Sequence, residues 1–197
     1  MFQGGIHLIL KNEKDIIQLV RDDAWMMDIL HAAKTLKLPD WWVCAGFVRS
    51  KIWDVLHGFT ERTPLPDVDV VYFDPGCCDE AIEKELERAL FSINPHIPWS
   101  VKNEARMHLI NNMPPFTSSV DAIANFSETA TSLGVTLDEN DELKLTAPHG
   151  VQDAIHMIVK PTPYFLETQE HAQIYERRIS KKNWSTTWPN VRIVHIQ

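Results

Sequence analysis

Apolar residues recur at helical spacing in the first part of the chain. Asn12, followed three residues later by an acidic side chain, is a helix-start signal, and a Leu-Pro-Asp tripeptide ending at residue 40 is a stop signal. Between these signals one helical face carries Ile16, Val20, Met27 and Leu30. The spacing predicts one amphipathic helix over residues 13–37.

Strand and helix signals then alternate. The apolar run at residues 41–45 is long enough for a buried strand, and residues 47–57 have the apolar spacing of a helix that ends before Gly58. After a loop with two prolines, residues 67–73 (DVDVVYF) are rich in valine and aromatic side chains, which favours a strand. The chain therefore predicts a strand, a helix and a second strand in succession.

The elements predicted beyond residue 75 are shorter and more mixed. They are a helix capped by Asp79, a strand at residues 99–108, a helix at 118–125, a hairpin of 135–137 and 143–146, a helix within 150–159, a helix at about 167–181 and a strand within 191–196. Their order predicts an α/β (α+β) fold, a small mixed sheet flanked by helices with a C-terminal helical and strand extension. We expect a single domain over residues 1–197, with its core over about 13–160 and the extension over about 161–197.

The charge balance argues against one class of partner. The net charge is −8, with 19 basic and 27 acidic residues, whereas tight non-specific binding to nucleic acid needs a basic surface. Residues 171–197 are the exception, because this tail has five basic residues and one acidic residue. We expect the basic segment at residues 177–182 to be a solvated helix face, with contact to a phosphate-bearing acceptor as the alternative.

Compartment signals point to the cytoplasm. No apolar run approaches the roughly 18 residues of a membrane span, and the apolar start at residues 1–10 lacks the basic segment and the cleavage site of a signal peptide. Cys44, Cys77 and Cys78 form neither a disulfide framework nor a paired zinc-ligand spacing. We therefore expect a cytoplasmic protein that does not contact a membrane.

The strongest candidate chemistry is an acidic pair at the start of the second predicted strand. Asp67 and Asp69 are two residues apart, so their side chains project from the same side of the strand, about 7 Å apart along it. Two carboxylates that face together repel each other, and a divalent cation removes that conflict. Hard oxygen ligands select Mg²⁺ or Mn²⁺, which also bind substrate phosphates. A solvent-facing pair of aspartates is the purely structural alternative.

The strand-to-helix junction at Gly46 supplies the second half of the pattern. Without a Cβ at Gly46, a phosphate can approach the backbone, and the following helix offers free N–H groups at its N-terminus. Arg49, in the first turn, can add a bidentate phosphate contact. Together with the acidic pair, these residues predict a site for a metal-bound nucleoside triphosphate. The matching reaction class is in-line displacement at phosphorus with two metal ions.

These segments also resemble a known superfamily. AGFVRSKIWDVLHG followed by PDVDVVYFD resembles the nucleotidyltransferases, in the form seen in tRNA-CCA-adding enzymes and bacterial poly(A) polymerases. That pattern is Gly-Gly-x-x-Arg-Asp at a helix start, Leu-Gly at the helix end and Asp-x-Asp on the next strand. With WSVKNEARMH, SETATSLGV and APHGVQDAIHMIV included, residues 20–195 are similar to a family of small bacterial nucleotidyltransferase-like proteins. The resemblance implies the polymerase-β-like nucleotidyltransferase fold.

The chain departs from the superfamily pattern at two positions. Ala45 stands in place of the first glycine, which we interpret as a mild change because alanine is small. Ser50 stands in place of the aspartate after Arg49 and removes a carboxylate that helps to organise the site of the tRNA enzymes. The second change leaves the identity of the substrate open.

The resemblance further implies a third carboxylate from a neighbouring strand. Glu104 is the only carboxylate on the predicted strand at residues 99–108, and strand alternation places it on one face with Lys102 and Arg106. We expect Glu104 to be the third metal ligand, while Lys102 and Arg106 can contact phosphate. An exposed ion pair between Glu104 and one of these two cations is the alternative.

The pattern and the resemblance together predict an enzyme that transfers a nucleoside monophosphate from a nucleoside triphosphate (NTP) to an unknown acceptor hydroxyl. The expected catalytic residues are Asp67 and Asp69, the metal ligands for Mg²⁺ or Mn²⁺ are Asp67, Asp69 and Glu104, and the nucleotide-binding residues are Gly46, Arg49, Lys102 and Arg106. The charge balance favours a small acceptor over a long nucleic acid. The alternatives are a catalytically weak or inactive nucleotide-binding or regulatory module of the same fold, and a toxin-like transferase acting on tRNA.

Overall fold

A computed structural model describes residues 10–196 of the chain. The apolar N-terminal segment, in which we expect no signal peptide, lies outside the described residues except for Leu10. Within the described part, every helix is too short or too polar to cross a lipid bilayer.

The main sheet has five strands and is mixed. The strands are β1 (Trp42–Cys44), β2 (Val68–Tyr72), β3 (Trp99–Asn103), β4 (Gly134–Leu137) and β5 (Leu143–Thr146). Their spatial order is β3-β2-β1-β4-β5; β2 and β3 run parallel, and every other neighbouring pair is antiparallel. This mixed sheet with helices around it confirms the predicted α/β fold class, including the hairpin of β4 and β5.

Helices form about half of the remaining described chain. They are α1 (Glu13–Arg21), α2 (Ala24–Lys34), α3 (Gly46–Leu56), α4 (Glu80–Ile93), α5 (Glu104–Asn111), α6 (Ser119–Ala124), α7 (Gln152–Ile155), α8 (Gln169–Lys181) and α9 (Trp184–Thr187), with a 3₁₀ turn at Pro163–Leu166. The predicted signals at both ends of α3 and at the start of α4 are confirmed: Gly58 has a φ of 68° just past α3, and the Asp79 carboxylate accepts a hydrogen bond from the Ala81 amide.

The single helix predicted over residues 13–37 is wrong, because the structure has two helices with a break at residues 22–23. Asp23 is the N-cap of α2, where its carboxylate accepts a hydrogen bond from the Met26 amide. The same carboxylate is bound by Lys51 at 2.8 Å and by Arg62 at 2.6 Å. These two cations come from distant parts of the sequence, so the local apolar spacing could not reveal the break.

The strand predicted at residues 99–108 is also wrong in its second half. The strand β3 ends at Asn103, and Glu104 begins the helix α5. The Asn103 side chain accepts a hydrogen bond from the Ala105 amide at 3.1 Å, which caps α5, and it donates to the Asp74 carbonyl at 2.8 Å. One buried amide therefore closes the turn after β2 and starts a helix where polar and apolar residues still alternate.

The helix expected within residues 150–159 is shortened to α7. Met157 follows with a φ of 56°, a left-handed conformation that ends the helix, and the chain continues into the short strand β6 (Ile158–Val159). This strand pairs in parallel with β7 (Arg192–Ile193), which lies within the strand predicted at residues 191–196. The pairing brings the C-terminal extension back onto the domain.

The C-terminal extension packs into the same hydrophobic core as the sheet. The Trp53 ring of α3 lies 6.0 Å from the ring of Trp184 and 5.1 Å from that of Trp188, both in edge-on geometry. The Trp188 indole also donates a 2.8 Å hydrogen bond to the buried carboxylate of Asp54. These contacts tie the extension to the helix that follows Gly46.

Candidate functional site

A cavity of about 840 Å³ lies where the β2–β3 edge meets helices α5 and α8. The sheet contributes Asp69, Ser100 and Lys102, and Ala45 lines the cavity from the residue just before α3. The walls farther out come from α5, the 3₁₀ turn and one face of α8. The volume falls in the range of about 300–1,000 Å³ that is typical of ligand-binding clefts.

The three carboxylates predicted from the sequence converge around the end of β1. Asp69 lies opposite Cys44 of β1 and opposite Ser100 of β3 in the strand register. Asp67 is exposed just before β2, and Glu104 is only 6% exposed at the start of α5. Burial raises the pKa of the Cys44 thiol well above its usual range, and the charges of Asp69, Glu104 and Asp67 raise it further.

Asp69 and Glu104, which both line the cavity, are destabilised in their ionised forms. Burial, followed by repulsion from Asp67, raises the pKa of Asp69 to about 6, although the Ser100 hydroxyl and the cations of α8 oppose the shift. Burial, followed by the charge of Asp69, raises the pKa of Glu104 to about 8, against the effect of Lys102. A cation bound between the half-buried Asp69 and the buried Glu104 would relieve the repulsion between these two acids.

These residues fit a divalent cation by their chemistry. Carboxylate oxygens are hard ligands of the kind that Mg²⁺ and Mn²⁺ prefer. Among residues 10–196, however, no group of three or more histidine, cysteine, aspartate or glutamate side chains is arranged closely enough to hold a metal ion. The assignment of Asp67, Asp69 and Glu104 as metal ligands therefore remains a prediction.

Arg49 points into the protein and does not line the cavity. Its guanidinium lies 4.8–5.5 Å from the rings of three tryptophans, and it donates a hydrogen bond to the Ser50 hydroxyl. The Nε atom of Arg49 is buried without a hydrogen-bond partner, and burial lowers the pKa of the guanidinium to about 10. Arg49 therefore sits as a buried cation below the start of α3, and a phosphate contact by its side chain remains a prediction.

The backbone at the start of α3 contradicts the expectation that alanine at position 45 is a mild change. Ala45 has a φ of 56° and a ψ of −119°, a region that glycine adopts freely and that strains an L-residue. Alanine here is therefore not the mild change that its size suggests. By contrast, a Cβ at Gly46 would meet only Arg49 at 3.6 Å and Leu65 at 4.0 Å, which are ordinary contacts. Packing within the protein does not require glycine at position 46.

The two cations predicted on the strand after α4 have different surroundings. Lys102 lines the cavity, and its ammonium is 3.5 Å from the buried carboxylate of Glu83. Arg106 lies on α5 and not on a strand, and it forms two 2.7 Å hydrogen bonds with Glu83. The structure therefore brings Lys102 together with Asp69 and Glu104, while it commits Arg106 to a buried ion pair outside the cavity lining.

The basic segment of α8 faces the cavity, a placement that the sequence did not indicate. Arg177, Arg178, Lys181 and Lys182 all line the cavity opposite the carboxylates. Their spacing of three to four residues, which puts them on one helical face, was the available signal, but nothing local indicated which surface that face would meet. The four side chains are exposed, so this helix face is solvated and also borders the cavity, and its contact with a phosphate-bearing acceptor remains a prediction.

Comparison with known proteins identifies a sequence family and related folds. A family model described as Nucleotidyltransferase matches residues 31–193. A solved structure described as an NMR structure that reveals a CCA-adding enzyme head domain is 34% identical, with a TM-score of 0.86, and the match covers 96% of this chain and 100% of that chain. No curated protein has a significant match to the sequence.

More distant structures share the fold. The Thermotoga maritima CCA-adding enzyme complexed with tRNA is 13% identical with a TM-score of 0.52, and the match covers 94% of this chain and 43% of that chain. A CCA-adding enzyme in complex with ATP is 14% identical with a TM-score of 0.53, and the match covers 94% of this chain and 42% of that chain. The present chain thus spans less than half the length of these enzymes. By the family model, which matches most of its residues, the chain belongs to the nucleotidyltransferase family.

Proposed function

We propose that this protein transfers a nucleoside monophosphate from an NTP to the hydroxyl group of an acceptor, with release of pyrophosphate. The observation that carries the proposal is a pair of mutually repelling carboxylates, half-buried Asp69 and buried Glu104, that line one cavity with Lys102. In a nucleotidyltransferase fold such acids are suited to a cation and to the phosphates bound with it.

Asp67, Asp69 and Glu104 are the residues that would hold Mg²⁺ or Mn²⁺. When bound, the cation would neutralise phosphate charge and stabilise the charge that develops on the attacking and leaving oxygens. The chain itself contributes a fixed position for these acids, because Asp69 is held by the β1–β2–β3 register and Glu104 by the Asn103 cap. Prearranged groups of this kind need little reorganisation during the reaction.

The bonds that change can be assigned to the proposed site. The acceptor oxygen forms a bond to the α-phosphorus, and the bond from that phosphorus to the bridging β-phosphate oxygen breaks. The leaving pyrophosphate takes the bonding electron pair, and the proton of the acceptor hydroxyl passes to one of the carboxylates, with Asp69 and Glu104 nearest the cavity. In this proposal Lys102, which lines the cavity, and the N–H groups at the start of α3, next to Gly46, would bind phosphate oxygens.

A small acceptor suits the chain better than a long polynucleotide. The net charge of −8 opposes binding along a nucleic acid backbone, although relatives of the same fold are described in complex with tRNA. The cavity of about 840 Å³ has room for a nucleotide and a second small molecule. Since nucleoside triphosphates are held inside cells, the proposal places the reaction in the cytoplasm.

The test is an Asp69→Asn variant with Asp28→Asn as its matched control. Asp28 is exposed on α2 and lies outside the cavity lining, so the control makes the same chemical change elsewhere. Each protein is incubated with Mg²⁺ or Mn²⁺, labelled NTPs and cell extract, and both labelled product and released pyrophosphate are measured. We expect the wild type and the control to turn over NTP and the Asp69 variant to be inactive. Full activity of Asp69→Asn would contradict the assignment.

A nucleotide-binding module without chemistry is the second candidate. It is favoured by the inward positions of Arg49 and Arg106, which remove two predicted cations from the cavity. Calorimetry with each NTP distinguishes the two functions. Binding without pyrophosphate release, across the same set of extracts, would support the module and refute the transferase.

A further inference from the structure

One face of α8 presents an unusual concentration of positive charge to the cavity. Arg177, Arg178 and Lys181 recur at three- to four-residue spacing, and Lys182 follows directly after the helix. The same face carries Glu170 near the N-terminus of the helix, so the cations are gathered at the C-terminal half. Arg178 and Lys182 are close enough to Asp69 to lower its pKa against the effect of burial. The cations therefore face the carboxylate end of the cavity.

Arg178 is held in place by a buried acid. The Glu128 carboxylate is fully buried and accepts a 2.5 Å hydrogen bond from Arg178 Nε. The hydroxyl of Thr131 also donates to Glu128, at 2.6 Å. A buried, doubly bonded carboxylate fixes the guanidinium more firmly than an exposed ion pair would.

The other cations of this face are free to bind a ligand. Within residues 10–196, Arg177, Lys181 and Lys182 have no acidic side chain at ion-pair distance, whereas Arg178 is paired with Glu128. Arg49 and Arg106, which the sequence suggested for phosphate binding, are committed to the tryptophan cluster and to Glu83. Apart from Lys102, the side-chain cations that line this cavity come from the end of α8.

We propose that the C-terminal half of α8 is a polyphosphate-binding wall, with Arg177, Lys181 and Lys182 binding the phosphates that leave as pyrophosphate and Glu128 acting as the positioning residue for Arg178. The inference rests on the proposed function for the identity of the ligand as a nucleoside triphosphate. The several negative charges of a triphosphate match this group of cations, of which only Arg178 has an acidic partner, Glu128, among residues 10–196.

A purely structural role for these cations makes a different prediction. Basic residues in the last turn of a helix interact favourably with its dipole and stabilise the exposed helix end. In that case the loss of Lys181 and Lys182 would lower the thermal stability and leave phosphate binding unchanged. The two roles can therefore be separated by measuring both properties on the same variant.

The probe is inorganic tripolyphosphate, titrated calorimetrically into the full chain with Mg²⁺ at low ionic strength. The test variant is Lys181→Ala/Lys182→Ala, and the matched control is Lys14→Ala/Arg88→Ala, which removes two exposed cations outside the cavity lining and so changes the net charge equally. Charged hydrogen bonds of this kind are worth enough for a loss of affinity of about tenfold or more. We expect that loss in the test variant only, with both variants melting near the wild-type temperature.

Unchanged tripolyphosphate affinity in Lys181→Ala/Lys182→Ala would refute the polyphosphate-binding role of α8. An equal loss of affinity in the control variant would also refute it. An Arg177→Ala variant gives an independent check, since it leaves the Glu128 pair intact and should also weaken binding. The result is separable from the proposed transfer reaction, because binding of tripolyphosphate needs neither an acceptor nor turnover. If the protein binds tripolyphosphate through α8 but releases no pyrophosphate from NTP, the polyphosphate-binding role of α8 is supported and the transferase function is refuted.

Discussion

Replacing Ala45 by glycine is expected to stabilise the protein. Position 45 joins β1 to α3, and its φ of 56° with a ψ of −119° is sparsely populated by any residue that has a Cβ. The surrounding structure holds this conformation, because the Ala45 amide donates a 3.0 Å hydrogen bond to the Leu133 carbonyl. Glycine adopts the same backbone angles without the steric penalty, so the substitution should relieve strain in the folded state.

Three effects set the size of the change in unfolding free energy. Relief of strain at one such residue contributes about 1–3 kcal/mol. Glycine costs about 0.4–1 kcal/mol through the greater conformational freedom of the unfolded chain, and the loss of one half-buried methyl group costs less than about 0.8 kcal/mol. The expected net gain is about 1 kcal/mol, which corresponds to a rise in Tm of about 2–4 °C for a chain of this size.

Thermal and urea unfolding of Ala45→Gly measure this gain, with Ala89→Gly as the control. Ala89 is exposed in the interior of α4, where glycine should cost about 1 kcal/mol because it favours the unfolded chain. The two alanine-to-glycine substitutions are thus expected to shift stability in opposite directions. A lower Tm for Ala45→Gly, similar to that of the control, would show that position 45 is not strained and would refute the reasoning.

Two further predictions concern buried polar contacts. Glu83→Gln removes the charge that pairs with Arg106 and should lower the unfolding free energy by about 3 kcal/mol at pH 7, measured by urea denaturation. Burial alone would raise the pKa of Glu83, but the hydrogen bonds from Arg106 hold this pKa below 4.5. The stabilisation from the ion pair is therefore present above pH 4.5 and is lost as the pH falls through the pKa of the folded state. Equal unfolding free energies of the wild type and Glu83→Gln at pH 7 would contradict this prediction. Trp188→Phe keeps an aromatic ring beside Trp53 but loses the hydrogen bond to Asp54, and it should cost about 1.5 kcal/mol by the same assay. A Trp188→Phe protein as stable as the wild type would show that this hydrogen bond contributes nothing.

Several elements could be predicted because their signals are local. The alternation that buries Val68 and Val70 on β2 leaves Asp69 on the other face, and the structure confirms this strand. The start of α4 at Asp79 and the end of α3 before Gly58 rest on capping chemistry within a few residues. Local signals were misleading at Asn103, where helix capping competes with the strand pattern. Polar and apolar residues continue to alternate past Asn103, but its side chain caps a helix.

The positions of the arginines could not be predicted in this way. Arg49 follows the glycine of the motif, but its guanidinium is enclosed by aromatic rings that include Trp184 and Trp188, more than a hundred residues later in the chain. Arg178 belongs to a basic segment of ordinary composition, and only the tertiary structure places Glu128 beneath it. Long side chains can reach several surroundings, and the choice among them depends on which elements pack together.

The sequence by itself determined the local parts of this protein: the acidic pair at the start of β2, the glycine at the start of α3 and the order of most helices and strands. Each of these depends on the conformation of a few neighbouring residues. The tertiary structure alone decided that Glu104 lines one cavity with Asp69 and that the cations of α8 line the same cavity. Such convergence comes from the strand register and from packing between distant segments, which is set by the burial of the whole core.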